Sequence, residues 1–274
     1  METRPVDRLL VPVDGSAFSE IALHQAARLA QRLGLPIAVV SYIDTSAAHD
    51  AVSRTLRSLV ASLPPGLRVD VRVHEEGSDV HVRGYVAERI LGEAGDDTLV
   101  VMASHGRSGL GATLIGSVTE QVVRLSPRPV MVIGPACPDA PIDGGAVVAC
   151  LDGSPLAERT LPVAARWAAG TNAELWVVQV IPDDVPPADD ERYLRGVAAG
   201  YSPARADVLH GSDAAEVLVE FGERGRAAVL VLATRGRSGW SRLTLGSVAM
   251  NVVRHATSPV LLVGVDGADE LAAN

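Results

Sequence analysis

Apolar positions follow two alternating patterns along this chain. Short continuous runs, such as Leu9–Val13, Thr98–Met102 and Ala228–Leu232, have the character of strands buried on both faces of a parallel sheet. Between them apolar residues recur at helical spacing, as in Ile21, Leu23, Ala26, Ala27, Leu29 and Ala30. In the first half this predicts strands at 7–13, Pro36–Ile43, Arg68–His74, Thr98–Met102 and Pro129–Ile133. Helices are predicted at Ser19–Leu33, Asp50–Leu63, Val80–Ala94 and Ser117–Leu125.

The second half repeats the order. Strands are predicted at 145–151, Ala173–Ile181, Arg205–Leu209, Ala228–Leu232 and Pro259–Val263, and helices at Ala157–Ala169, Glu191–Ala199, Ala214–Arg224 and Ser247–His255. Asp14-Gly15-Ser16 aligns with Asp152-Gly153-Ser154, a turn able to cap the following helix. Asp14 and Asp152 stand 138 positions apart and Gly106 and Gly236 130 apart, so the eight-residue difference falls between them, in the Pro/Asp-rich middle of the second half. The pattern predicts an α/β protein of two tandem domains, 1–137 and 143–274, joined by a short Pro/Asp/Gly linker. Each domain is a parallel open sheet with helices on both faces. The sequence alone leaves the strand order open.

The most similar stretches of the repeat are Met102–Val118 and Leu232–Val248. Each runs from the end of an apolar strand, through a glycine-rich loop, to a helix start. Main-chain N–H groups and the helix dipole make that arrangement suited to a phosphate. In open parallel sheets ligands sit beyond the carboxyl ends of strands, where the strand order reverses. Asp14 and the first glycine loop both follow such ends.

Composition narrows the function classes. Aromatics are 3% of the 274 residues and the formal net charge is −9, which excludes a base-stacking or non-specific nucleic-acid binder. Apolar residues, at 47%, suffice for large cores. No run is long enough to span a bilayer and the N-terminus lacks an apolar leader, so no membrane partner and a cytoplasmic location are expected. Cys137 and Cys150 form neither a disulfide framework nor a metal spacing and read as free thiols.

At these residues the chain resembles the universal stress protein family in its tandem form. Nucleotide-binding members of that family carry a loop written G-x2-G-x9-G-[S/T]. Gly106, nine residues, then Gly116-Ser117 match its later part, as do Gly236, nine residues, then Gly246-Ser247. The resemblance implies a five-stranded parallel sheet per domain in the order 3-2-1-4-5, with ATP, alone or with Mg2+ or Mn2+, between strands one and four. It assigns Pro12, Asp14, Tyr42, Met102, Ala103, Gly106, Gly116, Ser117 and Val118 to one ATP site. Asp152, Val180, Leu232, Ala233, Gly236, Gly246, Ser247 and Val248 form the other. It further implies packing of the domains through their fifth strands, pairing of whole chains as a homodimer, and a nucleotide-dependent stress-response role with little or no turnover.

Other readings stand beside these. Ser117-Val-Thr-Glu120 has the form of a capping box, and Asp14 and Asp152 could be plain helix caps. The motif's first glycine is replaced by Ala103 and Ala233. That substitution is costly if the position needs a positive φ, and nearly neutral if it needs only a small side chain, the account favoured here. A nucleotide-free, dimerising interaction protein and a slow ATPase are the functional alternatives. Against the latter, the sequence has no Walker lysine and no evident nucleophile, histidine and carboxylate in catalytic order.

Overall fold

The computed structural model describes residues 5–43, 48–75, 85–105, 115–139, 145–225, 227–234 and 245–264. The first half contains β1 (Arg8–Pro12), α1 (Ala17–Leu33), β2 (Ile37–Ile43), α2 (His49–Ala61), β3 (Val69–Glu75), α3 (Tyr85–Glu93), β4 (Thr98–Ala103), α4 (Ser117–Leu125) and β5 (Val130–Ile133). The second contains β6 (Ala146–Leu151), α5 (Pro155–Glu158), α6 (Thr160–Thr171), β7 (Leu175–Ile181), α7 (Ala188–Ala199), β8 (Ala204–His210), α8 (Ala214–Arg224), β9 (Ala227–Ala233), α9 (Ser247–His255) and β10 (Val260–Val263).

All ten strands belong to one sheet, ordered β3-β2-β1-β4-β5-β10-β9-β6-β7-β8. Within each half every pairing is parallel and the order is 3-2-1-4-5, as the resemblance implied. The halves join through one antiparallel pair, β5 with β10, in which Val132, Met131 and Val130 oppose Val260, Leu261 and Leu262. That pairing satisfies main-chain groups that two separate sheets would leave bare at their edges. The two outermost strands, β3 and β8, alternate between half-buried and exposed residues, whereas β4, β5, β6 and β10 are buried throughout. This explains the continuous apolar runs of the inner strands.

Alternate side chains of the strands feed two cores. Leu9, Val11 and Val39 pack with Leu23 of α1, Leu56 of α2, Leu161 of α6 and Leu194 of α7 on one face. Leu10, Val40 and Val100 pack with Ile90 of α3, Val122 of α4, Leu218 of α8 and Val252 of α9 on the other. Each half of the sheet is thus covered on both faces.

Two helices of the second half differ from expectation. The stretch expected as a single helix over Ala157–Ala169 is broken at Arg159 into the one-turn α5 and the longer α6. Pro162 lacks the N–H that a continuous helix would direct at the carbonyl of Glu158. The Thr160 hydroxyl donates instead to the Ala157 carbonyl at 2.7 Å. In the divergent middle, α7 begins at Ala188, three residues before the expected start. Asp189, Asp190 and Glu191 fill its first turn, where the helix dipole favours acidic groups. The first part of the helix expected at Val80–Ala94 lies outside the described residues.

Candidate functional site

In each half the strand order reverses between its first and fourth strands. Val13 donates its N–H to the Val40 carbonyl at 2.8 Å, extending the β1–β2 pairing just past the strand. The Asp14 carboxylate then accepts the Ser16 N–H at 3.0 Å and the Ser16 hydroxyl at 2.6 Å, with Gly15 between them at φ 80°. Ser16, not Asp14, is the helix cap: its hydroxyl oxygen accepts the Ser19 N–H at 3.2 Å. The second half repeats this, Asp152 bonding Ser154 at 3.0 and 2.6 Å around Gly153, and Ser154 capping Ala157. The plain-cap reading of both aspartates is therefore replaced. They shape the turn that presents a carboxylate beyond the strand end.

Across the reversal, β4 and β9 lead toward α4 and α9. The Gly116 N–H donates to the Ser104 carbonyl at 2.6 Å, and the Gly246 N–H to the Thr234 carbonyl at 2.7 Å. Gly116 and Gly246 are the N-cap residues, both extended (φ −57° and −61°), and no side chain caps either helix. The capping box expected of Ser117 and Glu120 does not form. Glycine occupies the cap position, so Ser117 is already helical and Glu120 lies one residue too far along. Among the described residues, two helix starts thus keep first-turn N–H groups and the positive end of the dipole without a side-chain acceptor. Gly106 and Gly236 lie outside the described residues.

Between these two features in the first half is a cavity of about 330 Å3. Of the expected first-half residues, Pro12, Asp14, Tyr42, Met102, Ala103, Gly116, Ser117 and Val118 all line it. Val118 is 36% exposed at its mouth. Ala103 ends β4 without a positive φ, and so does Ala233 at the end of β9, so neither alanine is strained by its backbone. This agrees with the small-residue account of the glycine replacement.

Sequence reading missed one wall. Val40, Val86 and Ile90 line the cavity, and as apolar residues on a strand and a helix they carry no signal separating them from core. His105 also lines it, its Nδ1 2.9 Å from the Ser104 hydroxyl. Tyr42 is held firmly. Its hydroxyl donates to Glu93 Oε1 at 2.9 Å and its ring stacks on His74 at 5.2 Å, while His74 Nε2 lies 2.6 Å from the same Glu93 oxygen.

In the second half, Val180, Leu232, Ala233, Ser247 and Val248 lie in the corresponding elements, Asp152 directly follows β6 and Gly246 directly precedes α9, and Val248 is 39% exposed. There Val180 pairs in register with Leu209, where the first half pairs Tyr42 with His74. The two ends of the molecule therefore differ in polarity. Among the described residues no group of three or more His, Cys, Asp or Glu side chains is placed to hold a metal. No described helix is long and apolar enough to cross a membrane.

The model of the universal stress protein family matches residues 5–134 and 190–264, and the chain belongs to that family. The unmatched interval contains the linker and the Pro/Asp-rich stretch that follows β7. A universal stress protein of Mycolicibacterium smegmatis is 26% identical over 93% of this chain and 96% of its own. One from Mycobacterium tuberculosis is 30% identical over 60% of this chain and 61% of that one. Among solved structures, a universal stress protein of Archaeoglobus fulgidus superposes with a TM-score of 0.68 at 20% identity, over 94% of this chain and 98% of that one. At that identity the likeness speaks for the fold.

Proposed function

We propose that this universal stress protein binds ATP in each half and acts as a nucleotide-dependent stress-response regulator with little or no turnover. The observation that carries the reading is the first-half cavity. It brings an uncapped helix start, a turn-held carboxylate and an apolar wall within one space of about 330 Å3. In this reading Gly116, Ser117 and Val118 receive the phosphates, with Gly106 in the same loop. Asp14 faces the ribose or a metal-bound phosphate, and the main chain near Tyr42 meets the adenine edge. Asp152, Val180, Leu232, Ala233, Gly236, Gly246, Ser247 and Val248 do the same in the second half.

Micromolar affinity amounts to about 8 kcal/mol. A helix dipole supplies at most about 2 kcal/mol of it, so main-chain hydrogen bonds and burial of the base supply the rest. Mg2+ or Mn2+ would join through the phosphates and one aspartate. The lining supports slow turnover in this reading: among the described residues its titratable side chains are Asp14, Tyr42 and His105. Asp14 is bonded to Ser16 and Tyr42 to Glu93, and the position of His105 is Arg235 in the other half. The same proposal includes a cytoplasmic setting and homodimers of the whole chain, the latter checked by sedimentation velocity.

Calorimetric titration of ATP into the wild type and into G116V/G246V tests the site. Both glycines have negative φ, so valine is conformationally allowed and the fold is expected to survive. Wild-type binding, lost in a double variant that circular dichroism shows to be folded, is the expected result. Retention of ATP by the folded double variant removes the phosphate assignment. Absence of binding to the wild type at millimolar ATP leaves the nucleotide-free interaction protein.

A further inference from the structure

A second cavity, of about 500 Å3, lies away from both helix starts, at the seam between the halves. Arg28, Leu29 and Arg32 of α1 line it with Trp167 of α6, over Met131 of β5 and Val229 of β9. Its counterpart under the repeat is nearly closed, at about 30 Å3, and the sequence explains why. In that counterpart Arg128 reaches the Gly95 carbonyl at 3.0 Å and pairs with Asp96, and Pro5 and Val6 complete the wall. The aligned position in the second half is Ser258, too short to fill the space, and Asp96-Asp97 is replaced by Arg226-Ala227.

The open cavity therefore has a different character from its mate. Its described lining contains two arginines, two glutamines and no carboxylate, above an apolar floor. Arg28 Nη2 is bonded to Asp139 at 2.9 Å, but its Nη1 is buried with no hydrogen-bond partner among the described residues. Arg32 Nη2 donates across the seam to the Thr171 carbonyl at 2.6 Å, leaving further guanidinium donors. The volume is within the usual range for a small-molecule site.

We propose that this seam cavity binds an amphipathic organic anion. Its apolar body would lie on Met131, Trp167 and Val229, and its carboxylate-like head would meet Arg28 and Arg32, whose planar forks match two-oxygen acceptors. Contact with both halves makes such a ligand a brace across the β5–β10 joint. The proposal is independent of the nucleotide reading.

The test is a fluorescence titration of the full chain with 8-anilinonaphthalene-1-sulfonate, with and without saturating ATP. Saturable binding unaffected by ATP is expected, with displacement by octanoate but not by inorganic phosphate. R32E, at an exposed position, should weaken binding about tenfold or more, as expected for loss of a charge-assisted contact. A228W, which fills the cavity, should abolish it. Circular dichroism verifies that each variant is folded, and R32E decides alone if A228W does not fold. No saturable binding, displacement by ATP or by phosphate, or unchanged affinity in either folded variant overturns the proposal.

Discussion

Met131 and Leu261 stand opposite each other in the antiparallel pair that joins the two halves, and they are the same position of the repeat, 130 residues apart. The pseudo-twofold axis therefore passes between these two buried side chains. The joint is built from the same apolar strand used twice, head to tail.

Close packing at this joint makes one glycine critical. A Cβ added at Gly134 would sit 1.8 Å from the Val253 carbonyl oxygen of α9, whereas one at the equivalent Gly264 would sit 3.2 Å from the Ser126 carbonyl oxygen. G134A is expected to cost about 3 kcal/mol, within the range for overpacking, and G264A about 1 kcal/mol or less. Urea denaturation of the two variants measures the difference. Equal losses would show that α9 does not approach β5 as described.

The uncapped helix starts predict an opposition between stability and binding. S117E and S247E place a negative charge in the first turn of α4 and α9, where each should add about 0.3–1 kcal/mol of stability at low salt. The same charge competes with a phosphate. Thermal melts should rise slightly while ATP affinity falls, and a parallel rise in both would argue against the anion site.

Restoring the family glycine should do little. Ala103 and Ala233 have no positive φ, so A103G and A233G relieve no strain and are expected to change ATP affinity by less than about threefold, under 1 kcal/mol. Calorimetry on the double variant checks this. A large gain would mean that the methyl groups obstruct the nucleotide.

Both thiols should be inert in the folded protein. Burial pushes the Cys137 thiol up to about 11, with Asp139 adding to the rise and Arg28 opposing it, and burial raises Cys150 further still. At pH 8 an aromatic disulfide reagent should label neither until denaturant is added. Rapid labelling of the native chain would contradict the burial.

Asp139 predicts a feature of acid unfolding. Burial alone would raise its carboxyl, but hydrogen bonds from His24 and Arg28 more than offset this and hold it below the usual carboxylate range. A depressed folded value means that the contribution is present above the unfolded value of about 4 and fades as pH falls through the folded one. Wild type and D139N should therefore differ in stability at neutral pH and converge in acid. A difference that persists at the lowest pH would assign the effect to packing.

The fold was legible because burial on both faces leaves inner strands no polar positions, as in Leu9–Val11 and Val130–Ile133. The break at Arg159 was missed because the apolar spacing continues through it, although Pro162 removes a necessary donor. The cap was misassigned for a related reason: Ser117 and Glu120 have the right spacing, but Gly116 takes the extended position. The first-half residues that line the cavity were named through the family resemblance, which the glycine loop and the Asp-Gly-Ser turn carry. Val40, Val86 and Ile90 were not, since a pocket wall and a core use the same side chains. The seam cavity depends on Arg128 being matched by Ser258 in space, a comparison that becomes informative only once the halves are packed.

A symmetric pair of identical chains must accept every substitution twice, once on each side of its axis. Here the β5–β10 joint lies within a single polypeptide, so either side can change alone. Tyr42 against Val180 and Arg128 against Ser258 are instances of that freedom. One covalent chain can thus evolve two unlike ends while retaining the architecture of a twin.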